Sequence, residues 1–565
     1  MDIAPAMADW HSWLVPGVAT AEQCAAASCD AKSSAYSFNG THCYVGDASV
    51  VSLNTSQCDL FTTGVRNPAL WPPTNPPEAA RDFPDGSWSV VDLPHDAAAD
   101  TPHAFPSTGG QGFRHPVAAI YRKHFRLDAS WAAGSALSLS LPGAATSFAL
   151  WLNGVPLSPR SDSGYLPLTL PIDSSTYNLS YGTDGSDNVL VAWTDNMWRT
   201  GWWEEGAGLT RGGVTLSVND PRGSLSPASA VAAPAFLNGV VHEHTASEPS
   251  VGLWADSAQI SPSADVLLEA GGLATLVWTL RDVAGAVAGV VNASSRLPQG
   301  GGVISAPPGS LTVPRAELWT VARPYLYSIR TELWVQGTLL DARDDALGIR
   351  DVAWSGDSGM FLNTQSVKMR GFCEHATWGG VGAAVPPRVD LFRLQQLRGI
   401  GGNALRTSHN PPTPHLLDIC DRLGVLVLDE NRVLTHLDNV RGGAECGTEG
   451  CRDIPHYAGD VPSDTGALAA RDRLHASVIW YSLCNELGCG PGTLLQDNTV
   501  IAAKESIVAA DPSRAVSGNL GWQGVNATRP GTPFDDVVDV VGMSHQSGYV
   551  LEAFHAASPF KPVAM

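Results

Sequence analysis

The stretch Val478–Gly490, VIWYSLCNELGCG, decides the fold. Its apolar run carries no charge until it closes on Asn485-Glu486, and a glycine-rich loop follows. A strand with one wet face alternates polar and apolar residues, whereas a run apolar throughout is buried on both faces, as in a parallel sheet covered by helices. A Glu ending such a strand stands at the rim of the sheet with low-dielectric walls beneath it. That setting raises a carboxyl pKa and suits a general acid; capping a helix or pairing with an Arg is the plain alternative.

Working outward, VLVLDE (425–430) has the same form. Between the two runs, TPHLLDICDRLG (413–424) places Leu416, Ile419, Cys420 and Leu423 at helical spacing, with Thr413 as N-cap and Pro414 at the first helical position. Strands are expected at 366–371, 402–409, 424–430, 477–486, 515–520, 539–545 and 561–565. They are one short of the eight that close a (β/α)8 barrel, in which active-site residues sit at the C-terminal strand ends. Polar clusters fall at those ends: Glu374 and His375 in RGFCEH, Arg406 and His409 in RTSHNPP, and Asp429, Glu430 and His436 in LDENRVLTH. Packing alone does not explain such clusters at four successive strand ends.

Upstream of 357 the period changes to two. Leu137, Leu139 and Leu141 alternate with serines, Phe148, Leu150 and Leu152 share a face, and Asn153-Gly154 is a hairpin turn signal. A jelly-roll β-sandwich is expected over 66–220. A second, immunoglobulin-like sandwich is expected over 221–356, with Tyr327, Ile329, Thr331, Leu333 and Val335 on one face. The barrel domain takes 357–565.

Cys24, Cys29, Cys43 and Cys58 crowd the first 65 residues, which points to a small disulfide-rich module with three possible connectivities. Sequons at Asn39, Asn54, Asn178, Asn292 and Asn526 fit a secreted or secretory-lumen protein, although no signal peptide is visible. At 565 residues the chain needs several domains. A formal charge of −21, with no dense run of Lys and Arg, argues against nucleic acid as partner. No run is apolar enough for a membrane span. Oligomeric state is not legible.

Four groups of segments, taken in order, carry a resemblance. WSVVDLPHD (88–96), IYRKHF (120–125), ALWLNG (149–154) and WWEEGAGLTRGGVTL (202–216) are similar to the sugar-binding sandwich of glycoside hydrolase family 2. LWTVARPYLY (318–327) resembles that family's immunoglobulin-like domain. MRGFCEH, GGNALRTSHNPP, LLDICDRLGVLVLDE and SVIWYSLCNE resemble its barrel. The segment CAAASCDAKSSAYSFNGTHCYVG (24–46) resembles an apple or PAN module.

The resemblance implies hydrolysis of a terminal β-glycosidic bond with retention, by two carboxylates about 5–5.5 Å apart. Glu486 matches the acid/base and Asn485 the residue that bonds the sugar 2-hydroxyl. His375 and His409 match substrate-binding histidines, with structural imidazoles as the alternative, and RTSHNPP is most like a β-galactosidase. Trp378 is the candidate sugar platform, with core packing the alternative. Leu434 replaces the Glu that supplies an anionic metal ligand in magnesium-dependent members, so no obligatory cofactor or metal is expected. Ser544 or His545 stands where a supporting Tyr is frequent, and Leu474 and Ala476 replace a frequent Asn and Pro.

The matching nucleophile falls just past Lys561-Pro562-Val563-Ala564-Met565, where the sequence stops; Glu430 and Glu552 are not replacements. The 565-residue fragment is therefore expected to be inactive by itself. The alternative reading is a carbohydrate-binding protein without turnover.

Overall fold

The computed structural model describes residues 75–100, 117–132, 136–145, 147–161, 164–182, 187–196, 204–226, 232–244, 252–431, 457–485, 497–520 and 537–564, with four short strands inside the first 46 residues. The expected cysteine-rich module finds no support among the described residues. One of those short strands, Asp2–Ala4, instead pairs antiparallel with Ser89–Val90 and Ala118–Phe125 of the first sandwich.

That sandwich packs a sheet containing Ala118–Phe125, Asn188–Asp195, Ser147–Leu152 and Val155–Ser161 on a second sheet formed by Leu168–Ile172, Ala136–Leu141 and Thr215–Asn219. Leu137, Leu139, Leu141, Leu150 and Leu152 meet Tyr121 in its core. Asn153 and Gly154 take φ of 53° and 84°, the left-handed turn that the Asn-Gly pair signals. Ser147–Leu152 departs from simple alternation, because every residue in it is buried. Ala149 and Trp151 pack outward with Ile120, Val189 and Val191 against Ala79 and Trp88, so the segment before the sandwich covers its second face. Arg122 anchors that cover: it is fully buried, bonds Asp85 at 2.8 Å and donates to the Ala80 carbonyl at 3.0 Å.

The second sandwich closes around Trp278, Leu276, Leu280, Tyr327, Ile329 and Leu333. Thr331, on the same face, is buried with them. A three-stranded meander follows, Val352–Ser355, Gly359–Leu362 and Gln365–Val367, and runs across the expected boundary at 356/357.

The last part is a curled parallel sheet of seven strands in sequence order: β1 (Gly371–Glu374), β2 (Ala404–Thr407), β3 (Leu426–Glu430), β4 (Val478–Asn485), β5 (Ala515–Leu520), β6 (Val540–Met543) and β7 (Val563–Ala564). Helices α1 (Pro387–Gly399), α2 (Pro414–Leu423), α3 (Tyr457–Asp472), α4 (Asp497–Ala510) and α5 (Gly548–Ala557) intervene. β4 is buried at every residue, as its uniform apolar run requires.

The first barrel strand begins at Gly371 rather than at 366. Val367 and Met369 pack with Trp319, Leu426 and Ile479 beneath the sheet, which leaves the meander, not the barrel, as the place of 365–367. Gly371 permits the close β1–β2 approach, since a Cβ there would lie 1.8 Å from the Ala404 carbonyl oxygen. In α2, Leu416, Leu417 and Cys420 are buried, while Ile419 and Leu423 are partly so. Thr413 holds the N-cap position but makes no side-chain cap; its hydroxyl meets His415 Nε2 at 3.1 Å instead.

The second sandwich is fastened to the N-terminal floor of the sheet. Trp319 Nε1 donates to the Asp421 carbonyl at 2.8 Å, and Arg350 donates to the carbonyls of Ala476, at 2.5 Å, and Val478. No helix among the described residues is long and apolar enough to cross a membrane.

Candidate active site

The C-terminal ends of β1 to β5 converge on one buried cation. Arg406, the third residue of β2, points its guanidinium across the rim, where Nε and Nη2 reach Glu430 Oε2 of β3 at 2.8 and 2.5 Å. Nη2 also donates to Asn485 Oδ1 of β4 at 2.6 Å, and Nη1 to Cys373 Sγ of β1 at 3.5 Å. With its amide oxygen turned to the guanidinium, Asn519 of β5 accepts from Arg406 at 2.8 to 3.2 Å. Residues from four other strands therefore meet on one side chain.

Glu430 is the other hub. Beside the ion pair, its Oε1 lies 2.6 Å from His409 Nδ1, and its Oε2 accepts from Ser482 Oγ at 2.7 Å. Burial alone would raise this carboxyl, but Arg406, His409 and Ser482 outweigh it and hold the pKa below the ordinary value. Burial opposes charge on Arg406 as well, and Glu430 outweighs it there, so the guanidinium pKa is raised. A buried charge needs a partner with satisfied geometry, and both hubs have one.

His409 sits on the β2–α2 loop, its ring centroid 5.4 Å from that of His375 at an edge-to-face angle of 88°. Burial, then the neighbouring His409 and Arg406, push the His375 pKa down to about 4. His375 is thus a neutral imidazole at neutral pH, able to donate or accept a hydrogen bond without a charge. Glu374, its neighbour, is held by Arg393 of α1, and burial raises its carboxyl pKa.

Of the residues singled out by sequence, the structure brings His375, His409 and Asn485 to one rim. Trp378 lies on the β1–α1 loop and is 38% exposed. Its ring meets Phe392 edge-on at 6.1 Å, and the Arg393 guanidinium lies 5.7 Å from its centroid, so α1 holds it. Glu486, directly after Asn485, lies outside the described residues, as do Leu434 and His436. No group of His, Cys, Asp and Glu that could hold a metal ion occurs among the described residues. Ser482 and Asn519 were not legible as site residues. The available signal is a short polar side chain inside an otherwise apolar strand, in VIWYSLCN and AVSGNL.

Two β-sandwiches thus lead into a parallel β/α sheet with a charge-paired polar rim, a multidomain sandwich-and-barrel architecture. Two stretches of the chain match family models directly. Residues 271–350 match Glycosyl hydrolases family 2, and residues 355–530 match its TIM barrel domain, so these two stretches are family 2 domains.

Among curated proteins, beta-galactosidase BoGH2A of Bacteroides ovatus is 30% identical over 419 residues, covering 72% of this chain and 44% of that protein. A beta-glucuronidase of Formosa agariphila is 24% identical over 382 residues, 62% of this chain and 36% of the relative. The chain thus spans less than half the length of either relative. Among solved structures, a family 2 member from Bacteroides cellulosilyticus superposes with a TM-score of 0.70 at 23% identity, covering 86% of this chain and 58% of that one. A beta-glycosidase from Bacteroides vulgatus gives 0.69 at 24%, covering 86% and 56%. These likenesses fix the fold.

Proposed function

We propose that the protein is a retaining glycosidase that cleaves a terminal β-glycosidic bond, most like a β-galactoside. The observation that carries this reading is the buried Arg406–Glu430–His409–Asn485 network at the C-terminal rim of the sheet. Asn485 gives its carbonyl oxygen to Arg406, which leaves its NH2 group to donate to the sugar 2-hydroxyl. His375, neutral and beside His409, bonds sugar hydroxyls. Trp378 offers an aromatic face to the sugar's C–H surface from the same loop.

In this mechanism Glu486 protonates the leaving oxygen and then activates water. Glu430 is not the nucleophile, because both its oxygens are occupied by Arg406, His409 and Ser482. In this reading the nucleophile is a carboxylate at the C-terminal end of β7; the parallel pairing of β7 with β6 supports that reading, since such strand ends share the rim that Asn485 occupies. Passage through a secretory lumen is part of the proposal: Asn178 and Asn292 are both exposed, which leaves their sequons accessible.

The test is a panel of aryl β-glycosides with the full-length polypeptide and its Glu486→Gln variant. Turnover of substrates with poor leaving groups should fall far more than that of activated ones, because only the former need the proton in the transition state. Equal losses would remove Glu486 from the role. Binding of sugars without turnover by the unmodified protein would overturn the enzymatic reading.

A further inference from the structure

Three segments of the first sandwich and the barrel meet at a seam that the reaction scheme leaves unused. Asp96 closes WSVVDLPHD, Arg211 lies in WWEEGAGLTRGGVTL, and Pro411-Pro412 end RTSHNPP. The Asp96 side chain is buried, and its Oδ1 accepts from the backbone N–H of Ala98 at 2.9 Å and of Ala207 at 2.8 Å, within its own sandwich. Its Oδ2 crosses the seam and accepts from Ala383 N–H at 2.7 Å, on the β1–α1 loop.

The socket for that carboxylate is glycine on both sides. A Cβ on Gly206 would stand 2.7 Å from Asp96 Oδ2 and one on Gly382 only 2.1 Å away, and both glycines have positive φ, 78° and 57°.

Arg211 does the same for the neighbouring loop. It is buried, lies over the Tyr165 ring at 4.5 Å, and donates to the carbonyls of Pro411 at 2.6 Å and Pro412 at 3.0 Å. Between these two attachments the seam encloses a cavity lined by Tyr165, Glu205 and Arg211 on one side and by Glu374, Arg393 and Asn410 on the other. Where the loops face a cavity, close packing does not fix them. Charge-assisted hydrogen bonds at a few points do.

The first loop carries His375 and Trp378; the second carries His409. We infer that Asp96 and Arg211 of the first sandwich are positioning residues for the sugar site, each holding one of the two loops that present its histidines. Asp96 sets the β1–α1 loop through Ala383, and Arg211 sets the β2–α2 loop through Pro411 and Pro412. The kinetic half of this inference rests on the glycosidase reading, and the structural half does not.

The experiment separates the two halves. Amide hydrogen exchange is followed by mass spectrometry in the full-length polypeptide, unmodified and as Asp96→Asn, Arg211→Ala and Gly382→Ala. Loss of one charge-assisted bond should speed exchange about tenfold or more in the loop it held. Asp96→Asn and Gly382→Ala should do so in 376–386 and not in 408–413, while Arg211→Ala gives the reverse pattern.

Gly382→Ala perturbs the Asp96 bond from the barrel side, so the inference stays open to refutation if Asp96→Asn does not fold. On an aryl β-glycoside each variant should raise KM about tenfold with kcat changed far less, since binding contacts rather than the proton-transfer step are displaced. Exchange that is unchanged, or that rises equally in both loops, overturns the inference. Loop-specific exchange in a protein that hydrolyses nothing leaves the positioning intact and condemns the glycosidase reading instead.

Discussion

Arg406 and Glu430 form an ion pair in which two guanidinium nitrogens converge on a single carboxylate oxygen, Glu430 Oε2, at 2.8 and 2.5 Å. The carboxylate is fully buried and the guanidinium nearly so. Removing one member of such a pair leaves the other charge desolvated and unneutralised. Glu430→Gln should therefore cost about 3–5 kcal/mol of folding stability, read from urea unfolding midpoints. A loss below about 1 kcal/mol would show that the rim does not depend on the pair.

Acid should weaken the fold through His375. Its folded pKa, about 4, lies below the ordinary 6.5, so the unfolded chain binds a proton that the folded chain refuses between those values. Stability from this group is fully present above pH 6.5 and is lost as pH falls toward 4. His375→Gln should flatten the thermal midpoint across that window. An unchanged slope would mean that the ring is not held neutral.

Asn485→Ala should cut kcat/KM on a β-glycoside by roughly 10- to 100-fold, as expected for a transition-state hydrogen bond together with a lost acceptor for Arg406. On the matching 2-deoxy glycoside the penalty should shrink, because the 2-hydroxyl contact is already gone. The same penalty on both substrates would confine Asn485 to holding the guanidinium.

Gly371→Ala should destabilise the barrel by about 1–3 kcal/mol or more, since the new methyl meets the Ala404 carbonyl oxygen in the adjoining strand. Thermal unfolding should report it, with the second sandwich unaffected. A neutral result would require the β1–β2 spacing to relax freely.

β3 and β4 are legible because each is an apolar run closed by polar residues, and that pattern depends only on burial. β1 was misplaced for the same reason. Val367 and Met369 are apolar because they pack beneath the sheet with Trp319, and sequence shows that a residue is buried without showing under what. The N-cap position of Thr413 could be read, yet not its hydroxyl's choice of His415 over the helix N-terminus. The position of His375, His409 and Asn485 at strand ends could be read. The convergence of Arg406 on acceptors from four other strands could not, because nothing local links residues 373, 430, 485 and 519. Asp96 and Arg211 were hidden further still, their partners lying in another domain.

The barrel sheet is fastened at opposite ends by different neighbours: Trp319 and Arg350 grip its floor, Asp96 and Arg211 its rim. The two grips share no residue. Substitutions in the first sandwich therefore bear on the mouth of the barrel first, and substitutions in the second bear on its foundation.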